Sequence, residues 1–175
     1  MFRIIAVVVI VCIAAFLAYV ATKPDAFRIE RSQLVKATPE TVFALIDDLH
    51  RFNSWNPFAL IDPSLKIVYS GPASGKGAAY DWDGTGKAGK GHMEITDSAS
   101  PSEVAMRLEF EKPFAAKNNV TFTLAPDGSA TKVTWAMSGQ DTYVQKLMGT
   151  LFNMDGMVGG EFAKGLANLK AIAER

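Results

Sequence analysis

Apolar and polar side chains alternate with a period of two along most of the second and third quarters of the chain. The clearest stretch sets Val104, Met106, Leu108 and Phe110 against Ala105, Arg107, Glu109 and Glu111. That spacing predicts a strand with one face on a core and the other in water. The same parity recurs at Leu65, Ile67 and Tyr69, and at Tyr80 and Trp82 with Asp81 and Asp83 opposite. It recurs again at Met93 and Ile95 against His92 and Glu94, and at Val120, Phe122 and Leu124. After an Asp127-Gly128 turn it closes with Val133, Trp135 and Met137. The pattern predicts six antiparallel strands in succession. Their shared face is bulky, aromatic and rich in methionine.

Helical patterns bracket this meander. Residues 27–35 (FRIERSQLV) alternate irregularly and predict a first strand, after which Thr38-Pro39-Glu40 opens a helix. Thr38 can cap, Pro39 suits the first helical position, and Glu40 favours the positive end of the dipole. Val42, Phe43, Leu45, Ile46 and Leu49 form its apolar side, and His50 falls at its end, where a cation is favourable. Residues 51–55 predict a second short helix that Asn56-Pro57 ends, with Trp55 as a packing anchor. Residues 143–174 predict one long terminal helix, with Leu147, Leu151, Met154, Val158, Phe162, Leu166, Leu169 and Ala173 at a 3–4 spacing. It also carries Gly149, Gly156, Gly159, Gly160 and Gly165, each costing about 0.5–1 kcal/mol against Ala in a helix interior. They point to close approach to the sheet, or to a bend near Gly159-Gly160.

Residues 4–22, IIAVVVIVCIAAFLAYVAT, hold no charge. A helix of that length runs about 28 Å, enough to cross a hydrocarbon core. Signal-peptide cores are shorter, about 7–15 residues, and end at a small-x-small site. Tyr19 stands badly for cleavage after Ala21. The expectation is an uncleaved single-pass anchor over residues 1–25, with a cleaved signal as the alternative, followed by one domain over 26–175. Arg3 lies on one flank, and Lys23, Arg28, Arg31 and Lys36 on the other. Basic residues alone would put the domain inside. The interspersed Asp25 and Glu30 and the very short basic tail favour the non-cytoplasmic side.

Composition narrows the function. Among 175 residues, 18 Lys plus Arg balance 18 Asp plus Glu, so no electrostatic case exists for nucleic acid. Cys12 is the single cysteine, which excludes an intrachain disulfide and thiolate metal binding.

The run Thr38-Pro39-Glu40-x-Val42-Phe43, the Trp55-Asn56-Pro57 step, Tyr80-x-Trp82-x-Gly84, Val133-Thr134-Trp135 and MDGMVGGEFAKGLANLK over 154–170 together resemble the START-like (SRPBCC) superfamily, in its polyketide cyclase/dehydrase branch. The resemblance spans about residues 27–174. It implies an α+β helix-grip (START/Bet v 1-like) fold, in which a curved antiparallel sheet wraps the C-terminal helix around a hydrophobic cavity. Members bind lipids, sterols, hormones or polyketides, and only some catalyse. No enzymatic motif of the family matches here, so the resemblance implies no catalytic residue.

Other motifs point elsewhere and fail on context. Gly84-Thr85-Gly86-Lys87-Ala88-Gly89-Lys90 satisfies GxGxxG and nearly GxxxxGK, but a strand pattern follows it. Phosphate loops need a helix N-terminus there, so the run predicts a flexible hairpin. His92 and Glu94 share a face opposite Met93 and Ile95, which predicts solvent exposure rather than an acid–base pair or half a metal site. Asn119-Val120-Thr121 fits a glycosylation acceptor but lies in a strand pattern. No cofactor motif is present.

The leading expectation is a membrane-anchored protein binding a hydrophobic small molecule or lipid between sheet and C-terminal helix. The expected ligand contacts are Tyr80, Trp82, Met106, Leu108, Phe110, Trp135, Met137, Phe152 and Met157. Three alternatives stand beside it. The same residues fill the core and leave no cavity; or the chain is a cyclase, dehydratase or hydrolase on a hydrophobic substrate; or it is an accessory module of a membrane complex with a protein partner. An enzyme needs an inward titratable group, and the pattern offers only Tyr80.

Overall fold

The computed structural model describes residues 2–62, 64–84, 88–113 and 115–175. Helix α1 (Phe2–Ala21) leads into β1 (Ala26–Val35), followed by α2 (Pro39–Asp47), α3 (Leu49–Trp55) and α4 (Pro57–Leu60). Strands β2 (Lys66–Ser70), β3 (Ala79–Asp83), β4 (Lys90–Ala99), β5 (Glu103–Lys112), β6 (Ala116–Asp127) and β7 (Ala130–Gln140) come next, then α5 (Tyr143–Leu151) and α6 (Met154–Ala173). The strands form one 7-stranded antiparallel sheet in the order β1-β7-β6-β5-β4-β3-β2. The six-strand meander therefore ends beside the strand that precedes it. Helices α2, α3 and α6 cover the concave face, giving the helix-grip arrangement.

Local chemistry sets the breaks between helices. The Thr38 side chain accepts from the Thr41 amide and starts α2, as expected. The Asp48 carboxylate accepts from the His50 and Arg51 amides at 2.9 and 3.3 Å and starts a new helix. Leu49 and His50 thus open α3 rather than close α2. His50 is stacked on Tyr69, with ring centroids 3.7 Å apart.

The terminal helix is two helices, not one. A capping box of Thr142 and Gln145 starts α5. Phe152 then leaves the helix with extended backbone, and the Asn153 side chain accepts from the Gly156 amide at 2.9 Å to start α6. The bend falls at Phe152-Asn153 and not at Gly159-Gly160, because a cap rather than a flexible pair makes it. Gly159 and Gly165 do serve close approach. A Cβ on Gly159 would overlap the Arg31 guanidinium, and one on Gly165 would sit 2.7 Å from the Trp135 ring and 2.8 Å from Pro57.

Arg31 stands opposite Trp135 in register and so faces the concave side. Its guanidinium donates to the Asp155 carboxylate at 2.9 and 3.2 Å and to the Asp155 carbonyl at 3.0 Å. It ties the first turn of α6 to the sheet. The Arg31 hydrogen bonds hold the Asp155 carboxyl below the usual carboxylate range. A carboxyl lowered by folding stabilises above its unfolded pKa, and that contribution is lost as pH falls through the lowered value. Hydrogen exchange at residues 156–159 should therefore quicken below about pH 4. Asp155→Asn should show the faster exchange already at neutral pH, with no acid step remaining. An acid step that survives in Asp155→Asn would assign the effect to another carboxyl.

Candidate ligand site

Strand parity sends Tyr80, Trp82, Met106, Leu108, Phe110, Trp135 and Met137 to the concave face, as expected. The first four and Trp135 are buried, while Phe110 and Met137 are partly buried. The gap between sheet and α6 is closed by aromatic rings. Trp135 stacks on Phe162 with centroids 4.3 Å apart and planes at 9°. Phe122 lies 4.9 Å from Trp135, and Trp55 meets it edge-on at 5.8 Å. Trp55 is fully buried and its indole donates to the Leu45 carbonyl at 2.9 Å, which makes it the packing anchor expected. Offset and edge-on ring pairs add about 0.5–1.5 kcal/mol each beyond the burial of their area.

Two of the nine expected contacts stand apart from this interior. Phe152 is 51% exposed and Met157 63% exposed. Phe152 belongs to the extended cap between α5 and α6. Met157 is out of phase with Phe162, Leu166 and Leu169, which carry the buried side of α6.

The interior also offers little to acid–base chemistry. Burial pushes the Tyr80 phenol well above its ordinary range. Asn53 donates to the Tyr69 hydroxyl at 3.1 Å, and Asn56 to the Asn53 side-chain carbonyl at 3.2 Å. A phenol held neutral by burial can donate or accept a hydrogen bond, but it cannot serve as a base near neutral pH.

A cavity of about 610 Å³ lies at the end of the sheet where β5 finishes and β6 begins. Phe27, Phe110 and Gly139 reach it from the concave face, and Glu109, Lys117 and Asn119 from the convex one. Thr142 and Gln145, from the start of α5, close one side. Register shifts beside Gly91 and Phe110, leaving Glu111 as an extra residue in β5, and such a bulge bends the sheet locally. The surrounding charges are paired: Lys117 with Glu109 at 3.2 Å and Lys90 with Glu111 at 2.9 Å. Phe110 is the one expected contact that lines this cavity. Phe27 could have been found from the alternation of residues 27–35. Thr142 and Gln145 carry no sequence signal beyond helix capping. A second cavity of about 220 Å³ lies by His50, Tyr69 and Pro72.

His92 and Glu94 point outward, His92 to Asp81 at 2.9 Å and Glu94 to Arg107. The glycine-rich run turns β3 into β4, with the Gly84 amide donating to the Gly89 carbonyl at 2.8 Å. Gly89 takes φ +61, and a Cβ there would overlap the Lys112 carbonyl. The expectation of a hairpin holds for these residues, while Thr85, Gly86 and Lys87 lie outside the described residues. Among the described residues, no group of three or more His, Cys, Asp or Glu side chains gathers in a way that could hold a metal.

No curated protein matches the sequence. Similar folds occur among solved structures. Ginseng major latex-like protein 151 from Panax ginseng superposes with a TM-score of 0.61 at 11% identity, over 86% of this chain and 99% of its own. The Aha1 dimer structure from Colwellia psychrerythraea gives 0.59 at 16%, over 85% and 96%. Protein CV1439 from Chromobacterium violaceum gives 0.58 at 15%, over 87% and 99%. At such identities the likeness carries the fold alone, the Bet v 1-like helix grip. Residues 26–174 match the family described as polyketide cyclase / dehydrase and lipid transport, and the chain belongs to that family.

Proposed function

We propose that the protein is a membrane-anchored carrier or receptor for an amphiphilic small molecule or lipid, seated in the cavity at the end of the sheet. The observation that carries this reading is the cavity itself, about 610 Å³, large enough for a small ligand. Phe27 and Phe110 offer an apolar wall, and Asn119, Ser138, Thr142 and Gln145 offer uncharged polar partners for a head group. A ligand losing about 300 Å² of apolar surface gains on the order of 7 kcal/mol before the costs of ordering. The packed, non-ionising interior supports binding over catalysis. The non-cytoplasmic side remains the proposed location of the domain, on the very short basic tail before α1 and the interspersed Asp25 and Glu30 after it.

Helix α1 supplies the anchor in this reading. Arg3–Ala21 is long and apolar enough to cross a membrane, and almost none of it is buried in the protein. The full chain should partition into detergent, whereas a chain beginning at Lys23 should stay in the aqueous phase. Small molecules extracted from the natively purified full chain should include a stoichiometric lipid by mass spectrometry. Consistently empty protein that also fails to take up a fluorescent fatty acid would refute the binding function. Uncleaved full-length protein in the aqueous phase would refute the anchor.

A further inference from the structure

The largest run of exposed apolar side chains outside α1 lies on α5 and the elbow that follows it. Val144, Met148 and Leu151 fall at i, i+4 and i+7 and share one helix face, exposed at 61%, 42% and 59%. Phe152, Met154 and Met157 extend the patch past the elbow. The charge on α5 does not interrupt it. Lys146 is the one charged residue of the helix, and its side chain is only 9% exposed. It points back to the α1–β1 junction, where Nζ donates to the Asp25 carboxylate at 2.6 Å and the Lys23 carbonyl at 3.1 Å. Exposed apolar side chains gathered on one helix face of a folded protein mark a contact with a membrane or a partner, and Asp155, the charge among the residues past the elbow, is held by Arg31.

The position of the patch chooses between these. The Tyr143 hydroxyl donates to the Leu17 carbonyl at 2.9 Å. Leu17 lies four residues before Ala21, the end of α1, hence about 6 Å back along the helix axis. If α1 spans the bilayer, the start of α5 sits just inside its exit. Interfacial helices lie about 5–10 Å into the boundary between headgroups and acyl chains. Tyr19 and Tyr143 flank this level, and the Lys23 ammonium lies 4.7 Å from the Tyr19 ring centroid, on the side away from the span. Aromatic rings at the boundary with a lysine just beyond are the usual furnishing of a membrane interface.

We propose that α5 and the Phe152-Asn153 elbow form an interfacial membrane-docking element. They lie on the bilayer that α1 enters and hold the mouth of the sheet-end cavity against it. The inference rests on reading α1 as a membrane span. It adds that the domain is not tethered at a distance but lies on the lipid surface in one orientation. The cavity mouth follows from the same geometry. Ala26 and Phe27 come directly after the span, Thr142 and Gln145 begin α5, and all four line the cavity. The ligand then exchanges with the membrane rather than with bulk water, which narrows its class to membrane-resident amphiphiles.

The test uses the full chain reconstituted in phosphatidylcholine/phosphatidylglycerol vesicles. With Cys12→Ser as background, single cysteines at Val144 and Leu151 are labelled with an environment-sensitive fluorophore. A third at Asp127 is the control, about 30 Å from the cavity along β6. Native Cys12, labelled alone, reports on the span. Lipids spin-labelled at the headgroup, shallow chain and deep chain, and aqueous iodide, serve as quenchers. Probes at 144 and 151 should be quenched several-fold more by headgroup and shallow-chain labels than the probe at 127, and shielded from iodide. Deep-chain labels should quench the probe at Cys12. Iodide access at 144 and 151 equal to that at 127, with Cys12 still quenched, overturns the docking element and leaves the anchor standing. Shielding from iodide without lipid quenching also overturns it, by showing that a second copy or another protein covers the face. An unquenched Cys12 overturns the anchor and the docking element together.

Discussion

Phe162→Ala should destabilise the folded protein by about 3–5 kcal/mol, the usual cost of truncating a buried Phe. Phe162 is 2% exposed and stacks on Trp135 at 4.3 Å, with Phe58 edge-on to both at 6.3 Å. Its removal takes away transfer energy and leaves a void that rigid rings cannot collapse to fill. The loss falls where α6 meets the sheet, and the Trp135 indole nitrogen, buried without a hydrogen-bond partner among the described residues, depends on that stacking to stay dry. For a chain of this size each kcal/mol shifts the melting midpoint by roughly 2–4 °C, so a fall of about 6–20 °C is expected. Tryptophan fluorescence should shift to the red as Trp135 meets water. An unchanged midpoint would mean that α6 does not close the grip through this ring.

The contact between Phe162 and Trp135 also shows how far the sequence could be read. Each residue was legible as inward-facing, one from a period of two and the other from a 3–4 spacing. Periodicity assigns a face, but it does not say whether two opposing faces touch or leave a gap. That depends on how deeply α6 beds into the sheet, and Gly159 and Gly165 set the depth by removing side chains from the approach. The glycines were readable as close contacts, whereas their partners Arg31 and Trp135 were not. Arg31 was visible only as one of several basic residues beside the anchor, since a concave-face arginine breaks the alternation that identifies a strand.

The helix breaks were hidden for a different reason. Leu151, Met154 and Val158 keep the apolar spacing across Phe152-Asn153, so the pattern runs on through two residues that have left the helix. The signal that starts α6 is a side-chain cap, Asn153 on the Gly156 amide, and Asp48 starts α3 in the same way after α2. Caps are short and their residues are common, which makes them weak against a strong periodic background. The consequence for the site was direct. A single straight helix would have carried Phe152 along the sheet, and the elbow instead leaves it outside. Met157, inside α6, is exposed because it is out of phase with the buried side of that helix. The cavity lining was hardest to see, because it mixes both faces of several strand ends and depends on the bulge at Glu111.

Met106→Trp should cost about 1–3 kcal/mol, the price of overpacking a filled core. Met106 is 1% exposed, lies between Ile95 and Val120 in the sheet register and belongs to the buried hydrophobic core. The melting midpoint should fall by roughly 2–12 °C. Uptake of a fluorescent fatty acid, measured below that midpoint, should stay at the level of the parent, because the proposed seat is at the sheet end. Phe110→Trp should do the reverse. Phe110 is partly exposed at the cavity wall, so the larger ring enters open space, stability is kept and uptake is weakened. The pair of variants separates a filled grip with a terminal site from a grip open along its length. A Met106→Trp protein that melts with the parent and no longer binds the probe would place the ligand inside the grip, between sheet and α6, and not in the sheet-end cavity.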